Sequence, residues 1–235
     1  MTAVPPDYDA DPARWRSWEA PQDVHQVIAP ELQGPVLDVG WGEGRLASLL
    51  GDTVRCIGVD SSPGQVAANP FGPLVLADMR ALPFRSGAFA EVTHLWCLYH
   101  VDDPTSAVGE AARVLCGGGR YYASTGARDN DPELVSEGYP PSSFDAEEAA
   151  AIVASVFDAV DPERWDRPFF PLETREEVRA YCRHNFVPAE RAEEVELPLW
   201  LTKRGVLVRA TKRPTVDTAK PETKRPGGAL RAEPR

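Results

Sequence analysis

The chain has 235 residues, of which 43% are hydrophobic, and its formal net charge at pH 7 is −11. This length suits one α/β domain, or two small ones, with a buried core. No run of about 18 apolar residues predicts a transmembrane helix, and the N-terminal residues lack the basic start and apolar centre of a signal peptide. We therefore expect a cytoplasmic protein without a membrane partner. The net negative charge argues against a nucleic-acid groove as the main surface.

Four cysteines lie far apart and form neither a CxxC pair nor a cysteine–histidine cluster with zinc spacing. Two of them, Cys56 and Cys97, lie within apolar runs. This pattern predicts small buried thiols in a reducing compartment and no metal site.

The sequence divides into three parts. Residues 1–33 form a polar lead-in with scattered aromatic residues, which predicts a short helical segment or lid. Residues 34–211 alternate apolar runs with helical patterns. Residues 212–235 contain seven basic and three acidic residues and almost no large apolar ones, which is typical of a disordered basic tail.

Within residues 34–211 the predicted strands and helices alternate. The strands are predicted at 36–40, 55–60, 73–78, 91–99, 120–125, 163–172 and 205–211. The helices are predicted at 43–50, from Pro63 onward, at 105–115, 145–157, 174–186 and about 189–196. Two of these helix starts carry predicted capping boxes, Asp145 with Glu148 and Thr174 with Glu177. Because several strands are continuous apolar runs, the pattern predicts a mostly parallel sheet with helices on both faces.

The first strand ends in a glycine-rich turn, in the stretch VLDVGWGEGRLASLL (36–50). Gly40, Gly42 and Gly44 alternate with other residues, and glycine permits positive φ and close approach of a ligand to the backbone. Ligands of parallel sheets bind beyond the carboxyl ends of the strands, which is where this turn lies. The spacing is G-x-G-x-G, one residue shorter than the dinucleotide pattern, and no G-K-[ST] follows it.

Acidic residues follow two of the neighbouring strands. Asp60 ends the second strand, twenty residues after Gly40 and directly before Ser61, where its carboxylate can accept both ribose hydroxyls of a nucleoside. A nicotinamide enzyme would also place an acid there, so Asp60 indicates a ribose without identifying the cofactor. Asp38, two residues before the first glycine, suits a ligand with a cationic amino group better than a pyrophosphate.

Four segments together resemble the class I S-adenosylmethionine-dependent methyltransferases, and most closely the small bacterial type-11 enzymes. The first three are the glycine turn, GVDSS (58–62) and ADMRALPF (77–84). The fourth is FAEVTHLWCLYHVDDP (89–104), together with the helix and the LCGGGRYY stretch that follow it. The four segments span about residues 34–125. The resemblance implies a Rossmann-like, seven-stranded sheet whose last strand is antiparallel, and S-adenosylmethionine as the cofactor. It also implies that Asp78 accepts from the adenine amino group, that Met79 donates a backbone N–H to the ring, and that His94 and Leu95 border the cofactor.

Two positions depart from the family pattern. Ala90 stands where an Asp is common, and Trp41 stands inside the turn where a small residue or Cys is commoner. The Trp41 ring either packs on the lead-in helix or covers the methionine end of the cofactor. His94 has a similar alternative, as a hydrogen-bonded histidine of the core.

Methyl transfer is an in-line displacement on an activated cofactor, so the protein mainly supplies alignment and a dry site. A general base is needed only if the acceptor must lose a proton. His100, after the fourth strand, is the candidate base, or else it caps a turn. Tyr99 is a candidate wall or hydrogen-bond donor for the substrate, and Tyr139 in the polar loop 128–144 is a candidate substrate contact.

The expected function is methyl transfer from S-adenosylmethionine to a small molecule. The alternatives are a non-catalytic scaffold that binds the cofactor and a methyltransferase acting on RNA or protein. The acceptor is expected to be covered by residues 7–29, 128–144 and 174–196. These segments carry aromatic residues that either line the acceptor pocket or seal a small lid: Tyr8, Trp15, Trp18, Tyr139, Tyr181 and Phe186. Nothing in the sequence selects between a monomer and a homodimer.

Overall fold

The computed structural model describes residues 23–185 and 187–214. Most of the predicted lead-in, Phe186 and most of the predicted tail lie outside the described residues. Lys212, predicted as the first residue of the tail, is joined to the domain, because its Nζ donates to the carbonyl oxygens of Ala112 and Leu115 at 2.6 and 2.7 Å.

The described chain alternates strands and helices as expected. The strands are β1 Val36–Val39, β2 Cys56–Asp60, β3 Leu74–Leu76, β4 Phe89–Leu95, β5 Leu115–Gly126, β6 Ala159–Leu172 and β7 Leu199–Thr211. The helices are α1 Val24–Ile28, α2 Arg45–Leu50, α3 Pro63–Ala68, α4 Pro104–Val114, α5 Ala149–Ala154, α6 Arg175–His184 and α7 Arg191–Glu194. No helix among the described residues is long and apolar enough to cross a membrane.

The seven strands form one sheet in the order β3-β2-β1-β4-β5-β7-β6. β1 pairs in parallel with β2 and β4, β3 with β2, and β5 with β4. β7 runs antiparallel to both β5 and β6. The predicted Rossmann-like sheet with an antiparallel last strand is therefore confirmed. The order reverses between β1 and β4, so the carboxyl ends of these two strands are where a ligand site is expected.

Alternate residues of the central strands face two separate cores. Leu37 and Val39 join the cluster under α4 and α5, whereas Val36 joins the cluster under α1 and α2. Asp38 and Thr93 are paired across β1 and β4, and their side chains meet on the second of these faces. A third, smaller cluster packs under α6 and contains Val178.

One predicted helix start differs from the structure. Asp145 does not cap a helix, because α5 begins at Ala149 and the residue before it, Glu148, makes no side-chain cap. The Asp145 carboxylate instead accepts from Ser142 Oγ at 2.5 Å and from Arg128 Nε at 2.8 Å. The Asp145–Glu148 capping box was therefore wrong, since a tertiary ion pair takes the carboxylate.

The other capping box is confirmed. The Thr174 side chain accepts from the Glu177 N–H at 3.2 Å, and the Glu177 carboxylate accepts from the Thr174 N–H at 3.0 Å. These reciprocal bonds satisfy two amides at the start of α6. The helix is thereby fixed in the segment between β6 and β7, as predicted.

Candidate functional site

The glycine turn at the end of β1 needs glycine for two different reasons. Gly40, Gly42 and Gly44 have φ of 78°, 52° and 75°, which bulky residues rarely adopt. A Cβ on Gly40 would also lie 2.5 Å from Cys97 Cβ, so the turn is pressed against the segment after β4. A Cβ on Gly42 would meet nothing nearer than Gly40 O at 4.0 Å. The space above Gly42 is therefore open to a ligand.

Asp60 is fixed beside this open glycine. Its Oδ2 accepts from the Gly42 N–H at 2.9 Å and its Oδ1 from the Ser62 N–H at 2.8 Å. The Gly42 carbonyl accepts from Asn69 Nδ2 at 3.1 Å. Each carboxylate oxygen of Asp60 thus keeps acceptor capacity for a further donor, as a ribose diol requires. Ser61, also predicted at the cofactor, is exposed at the end of β2.

Asp38 is a buried carboxylate directly below the turn. It is 5% exposed and accepts one hydrogen bond from Thr93 Oγ1 at 2.5 Å. Burial raises the pKa of Asp38 to about 6, an effect that the Thr93 hydrogen bond and His25 partly oppose and that Asp60 strengthens. The group is mostly ionised at pH 7 in a place that disfavours a bare charge. A cationic amino group of a ligand would compensate that charge.

The predicted adenine contacts lie next along the same sheet edge. The Ala77 N–H donates to the Asp60 carbonyl at 3.0 Å, which brings the end of β3 beside Asp60. The Asp78 side chain is 45% exposed and its carboxylate binds Arg80 through a 2.6 Å contact. The hydrogen bonds from Arg80 lower the pKa of Asp78, so it is an ionised acceptor. Met79 is half-buried against the core, with its backbone beside Asp78.

The Trp41 ring packs on β2 among the described residues. It is 3% exposed and lies on β2, where a Cβ on Gly58 would fall 2.0 Å from its Cε3. Its indole Nε1 has no hydrogen-bond partner among the described residues. Gly58 therefore makes room for the ring underneath the turn, and the geometry favours a supporting role for Trp41.

His94 and Leu95 point to opposite faces of the sheet. The His94 ring is fully buried, with Nδ1 3.0 Å from the Tyr121 hydroxyl. Burial lowers the pKa of His94 to about 3, so the ring is neutral. Leu95 is 5% exposed in the cluster under α1 and α2. The geometry favours core packing for both side chains.

The turn after β4 carries the candidate base. Residues Leu98–His100 form one 3₁₀ turn, and the rings of Tyr99 and His100 are 4.5 Å apart. The His100 side chain is exposed, yet the surrounding protein partly desolvates the ring and lowers the pKa of His100, which Asp60 opposes. The ring is therefore neutral at pH 7 and able to accept a proton. Tyr99 is half-buried against the α4 core.

Tyr139 belongs to a buried polar cluster. Its hydroxyl donates to Asp131 Oδ2 at 3.1 Å, and Tyr181 donates to the same oxygen at 2.9 Å. Lys203 Nζ donates to Asp131 Oδ1 at 2.8 Å, and Asp131 is fully buried. These contacts join the loop 128–144 to α6 and β7. The hydroxyls of Tyr139 and Tyr181 are thus both engaged by Asp131.

A cavity of about 300 Å³ lies between α1, the segment after β4, and strands β6 and β7. The rings of Trp96 and Trp165 line it and meet edge to face, with centroids 5.9 Å apart. Asp23 also lines the cavity, and its carboxylate lies 3.5 Å from Arg45 at the start of α2. This contact joins one residue of the cavity lining to the first residue of α2, which follows Gly44. Sequence reasoning named the segment after β4 but missed Trp96; a large aromatic residue directly after that strand was the available signal.

Comparison with known proteins agrees with this geometry. Residues 37–123 match a family model described as a methyltransferase domain. A protein from transposon TN4556 of Streptomyces fradiae is 36% identical over 95 residues, which is 36% of this chain and 28% of that protein. The chain thus spans just over a quarter of the length of that curated relative.

Solved structures share the fold at lower identity. The N-methyltransferase NodS of Bradyrhizobium japonicum, in complex with S-adenosylhomocysteine, has a TM-score of 0.55 and 14% identity, over 87% of this chain and 94% of that one. The [4+2]-cyclase SpnF has a TM-score of 0.56 and 19% identity, over 81% and 80% of the two chains. At these identities the likeness establishes the fold. Together with the methyltransferase-domain match over residues 37–123, it shows that the chain has the class I methyltransferase fold that the sequence resemblance implied.

Proposed function

We propose that this protein transfers the methyl group of S-adenosylmethionine to a small molecule, and that the cavity lined by Trp96 and Trp165 holds this molecule. The observation that carries the proposal is the Asp23–Arg45 contact, which joins a residue of the cavity lining to the residue that follows Gly44. The cavity volume of about 300 Å³ is at the lower end of the roughly 300–1,000 Å³ of small-molecule sites. A folded protein or RNA surface would not fit inside such a space.

Several residues in and around the turn fit the cofactor. The Asp38 carboxylate compensates the positive charge of the cofactor's amino group. The open space above Gly42 lets the cofactor approach the backbone, and Asp60 accepts hydrogen bonds from the ribose hydroxyls. We assign Asp78 and the Met79 N–H to the adenine ring, because the Ala77 N–H bonds the segment just before them to Asp60. When bound, S-adenosylmethionine supplies a methyl group that its sulfonium already activates. The residues of the chain then hold donor and acceptor in line and exclude water.

His100 is proposed as the proton acceptor for substrates that must be deprotonated. Its ring is neutral at pH 7 because local desolvation lowers its pKa. His100 also lies in the turn after β4, in which Cys97 packs against Gly40. A general base of this kind contributes roughly 10²–10⁴ in rate when a proton must leave. An acceptor that reacts without losing a proton would not need it.

The test is incubation of the purified chain with isotope-labelled S-adenosylmethionine and a host-cell extract separated into small metabolites, protein and RNA. Mass spectrometry should find the label in a small product. Asp60→Ala is the control variant that should abolish the label at limiting cofactor. Label confined to the protein or RNA fraction would contradict the small-molecule proposal.

The non-catalytic alternative is tested by binding. Calorimetric titration with S-adenosylhomocysteine should show micromolar or tighter affinity. A cyclase shares this fold, so bound cofactor with no labelled product in any fraction would favour a role other than methyl transfer.

A further inference from the structure

We infer that Asn69 is a positioning residue that fixes the glycine turn for the ribose of the cofactor. The Asn69 Nδ2 donates to the Gly42 carbonyl at 3.1 Å, and the Gly42 N–H donates to Asp60 Oδ2 at 2.9 Å. Asn69 therefore acts on the ribose through Gly42 and Asp60, without a contact of its own to the ligand. This inference rests on the proposed function, because it assigns a further residue to the same cofactor site.

Gly42 depends on hydrogen bonds for its conformation. Its φ is 52°, and a Cβ placed on it would meet nothing nearer than the Gly40 carbonyl at 4.0 Å. Among the described residues, no side chain thus packs on this glycine at the position of the missing Cβ. Because glycine has more conformational freedom to lose than any other residue, its polar groups must hold it. The bonds to Asp60 and Asn69 hold the two peptide groups that flank its Cα.

A second hydrogen bond orients the Asn69 side chain. Its Oδ1 accepts from the Phe71 N–H at 2.9 Å. A backbone N–H can only donate and a carbonyl can only accept, so these two partners decide which amide atom faces Gly42. The Phe71 ring also packs on the turn, since a Cβ on Gly44 would fall 2.9 Å from its Cδ2. The segment after α3 thus holds the turn at one polar and one apolar point.

The contacts around Asp60 form a closed ring. Asp60 Oδ1 accepts from the Ser62 N–H at 2.8 Å, and the Ser62 hydroxyl caps α3 by accepting from the Gln65 N–H at 3.3 Å. Asn69 directly follows α3 and bonds back to Gly42, whose N–H reaches the other oxygen of Asp60. Both carboxylate oxygens are thereby oriented before a diol binds. Such preorganisation reduces the ordering cost of binding, which is the contribution that we assign to Asn69.

The test is a double-mutant cycle on the full chain, with S-adenosylhomocysteine affinity measured by calorimetry. Asn69→Ala should weaken binding about twofold to tenfold, the range of one neutral hydrogen bond. In the Asp60→Ala background the same change should have little further effect, because the acceptor on which Asn69 acts is absent. Unchanged affinity in Asn69→Ala, or equal losses in the two backgrounds, would overturn the inference.

A ribose-modified ligand separates positioning from a general role in stability. The natural chain should bind S-adenosylhomocysteine more tightly than its 2′-deoxy analogue, which lacks one of the two hydroxyls. Asn69→Ala should reduce this preference, because the Asp60 carboxylate is then less well oriented. A merely structural role would lower the free energy of unfolding in urea and leave the preference unchanged, and that result would refute positioning.

Two further variants locate the effect. Asn69→Asp has nearly the same shape and keeps an acceptor for the Phe71 N–H, but its carboxylate at pH 7 cannot donate to Gly42. It should bind S-adenosylhomocysteine at least as weakly as Asn69→Ala, and natural affinity would contradict the inference. Asn185→Ala is the matched control, since Asn185 Nδ2 also donates to a backbone carbonyl, that of Tyr181, at 3.0 Å. The same loss of preference in this control would count equally against Asn69.

The inference and the proposed function fail separately. If S-adenosylhomocysteine binds and Asn69→Ala changes neither its affinity nor the ribose preference, Asn69 has no positioning role and methyl transfer still stands. If the natural chain itself has no affinity for S-adenosylhomocysteine, the proposed function is refuted and the role of Asn69 with it. The second failure is recognised before any substitution is made.

Discussion

Replacing Asp38 by Asn should stabilise the protein without cofactor while weakening cofactor binding. The pKa of Asp38 in the folded protein is about 6, against an ordinary value of 3.8. Because one pKa unit corresponds to about 1.4 kcal/mol, the ionised carboxylate lowers the free energy of unfolding by about 3 kcal/mol at pH 7. Asn has the same shape and retains an oxygen for the Thr93 hydroxyl. The variant should therefore be more stable than the natural chain, by up to about 3 kcal/mol.

The pH dependence of this difference has a definite sign. The pKa of Asp38 is raised on folding, so the native state binds the proton more tightly than the unfolded state. The penalty is complete above the folded pKa and disappears as the pH falls toward the unfolded value. The advantage of Asp38→Asn should thus shrink to about 1.5 kcal/mol at pH 5 and vanish below about pH 4. Urea unfolding at pH 7 and pH 5 measures both values, with the exposed Asp52→Asn as control.

Cofactor affinity should change in the opposite direction. A hydrogen bond to a charged group contributes about 1.5–3 kcal/mol, so Asp38→Asn should weaken S-adenosylhomocysteine binding roughly 10- to 150-fold. Calorimetry on the same samples measures this. A variant that is less stable than the natural chain at pH 7, or that binds S-adenosylhomocysteine equally well, would refute the role assigned to the buried charge.

Asp60→Ala should weaken S-adenosylhomocysteine binding about tenfold or more, because it removes the acceptor for the ribose hydroxyls; unchanged affinity by calorimetry, or tight binding of NADH instead, would contradict the assignment. Gly58→Ala places a Cβ 2.0 Å from the Trp41 ring and should lower the free energy of unfolding by about 1–3 kcal/mol. Adding Trp41→Leu to Gly58→Ala should lower the free energy of unfolding by less than the sum of the two single changes. If the two changes in free energy were additive, the ring would have moved away from Gly58. Lys203→Met leaves the buried Asp131 carboxylate without its cation and should cost about 3–5 kcal/mol. Asp131→Asn in the same chain should restore much of this loss in urea unfolding, and the absence of rescue would argue against the pair.

The fold and the glycine turn were predictable because their signals are local. A strand that ends in alternating glycines, followed by a helical pattern, describes a turn with positive φ whatever surrounds it. The alternation of apolar runs and helices predicted the layered sheet in the same way. The acid at the end of β2 was also placed correctly beside the turn, since parallel strands bring their carboxyl ends to one edge.

The cavity could not be predicted because it depends on which residues of distant strands stand opposite one another. Trp165 and Gly205 are forty residues apart and meet only through the register of β6 and β7. The sequence shows neither this register nor the φ of 57° at Trp96. Tyr139 was proposed as a substrate contact from its place in a polar loop. The sequence does not show that its hydroxyl donates to Asp131, which is fully buried and lies eight residues before it.

The same structural device serves two purposes in this sheet. In β2 and in β7 a glycine stands where a side chain would collide with an indole, from Trp41 in the first case and Trp165 in the second. A glycine in a strand has a cost in conformational entropy, so each pair trades strand stability for the position of a flat ring. The Trp41 ring is 3% exposed and packs between Gly58 of β2 and Gly44 of the turn. The Trp165 ring is half-buried and lines the cavity, so the same pairing of glycine and indole buries one ring in the protein and leaves the other at an open surface.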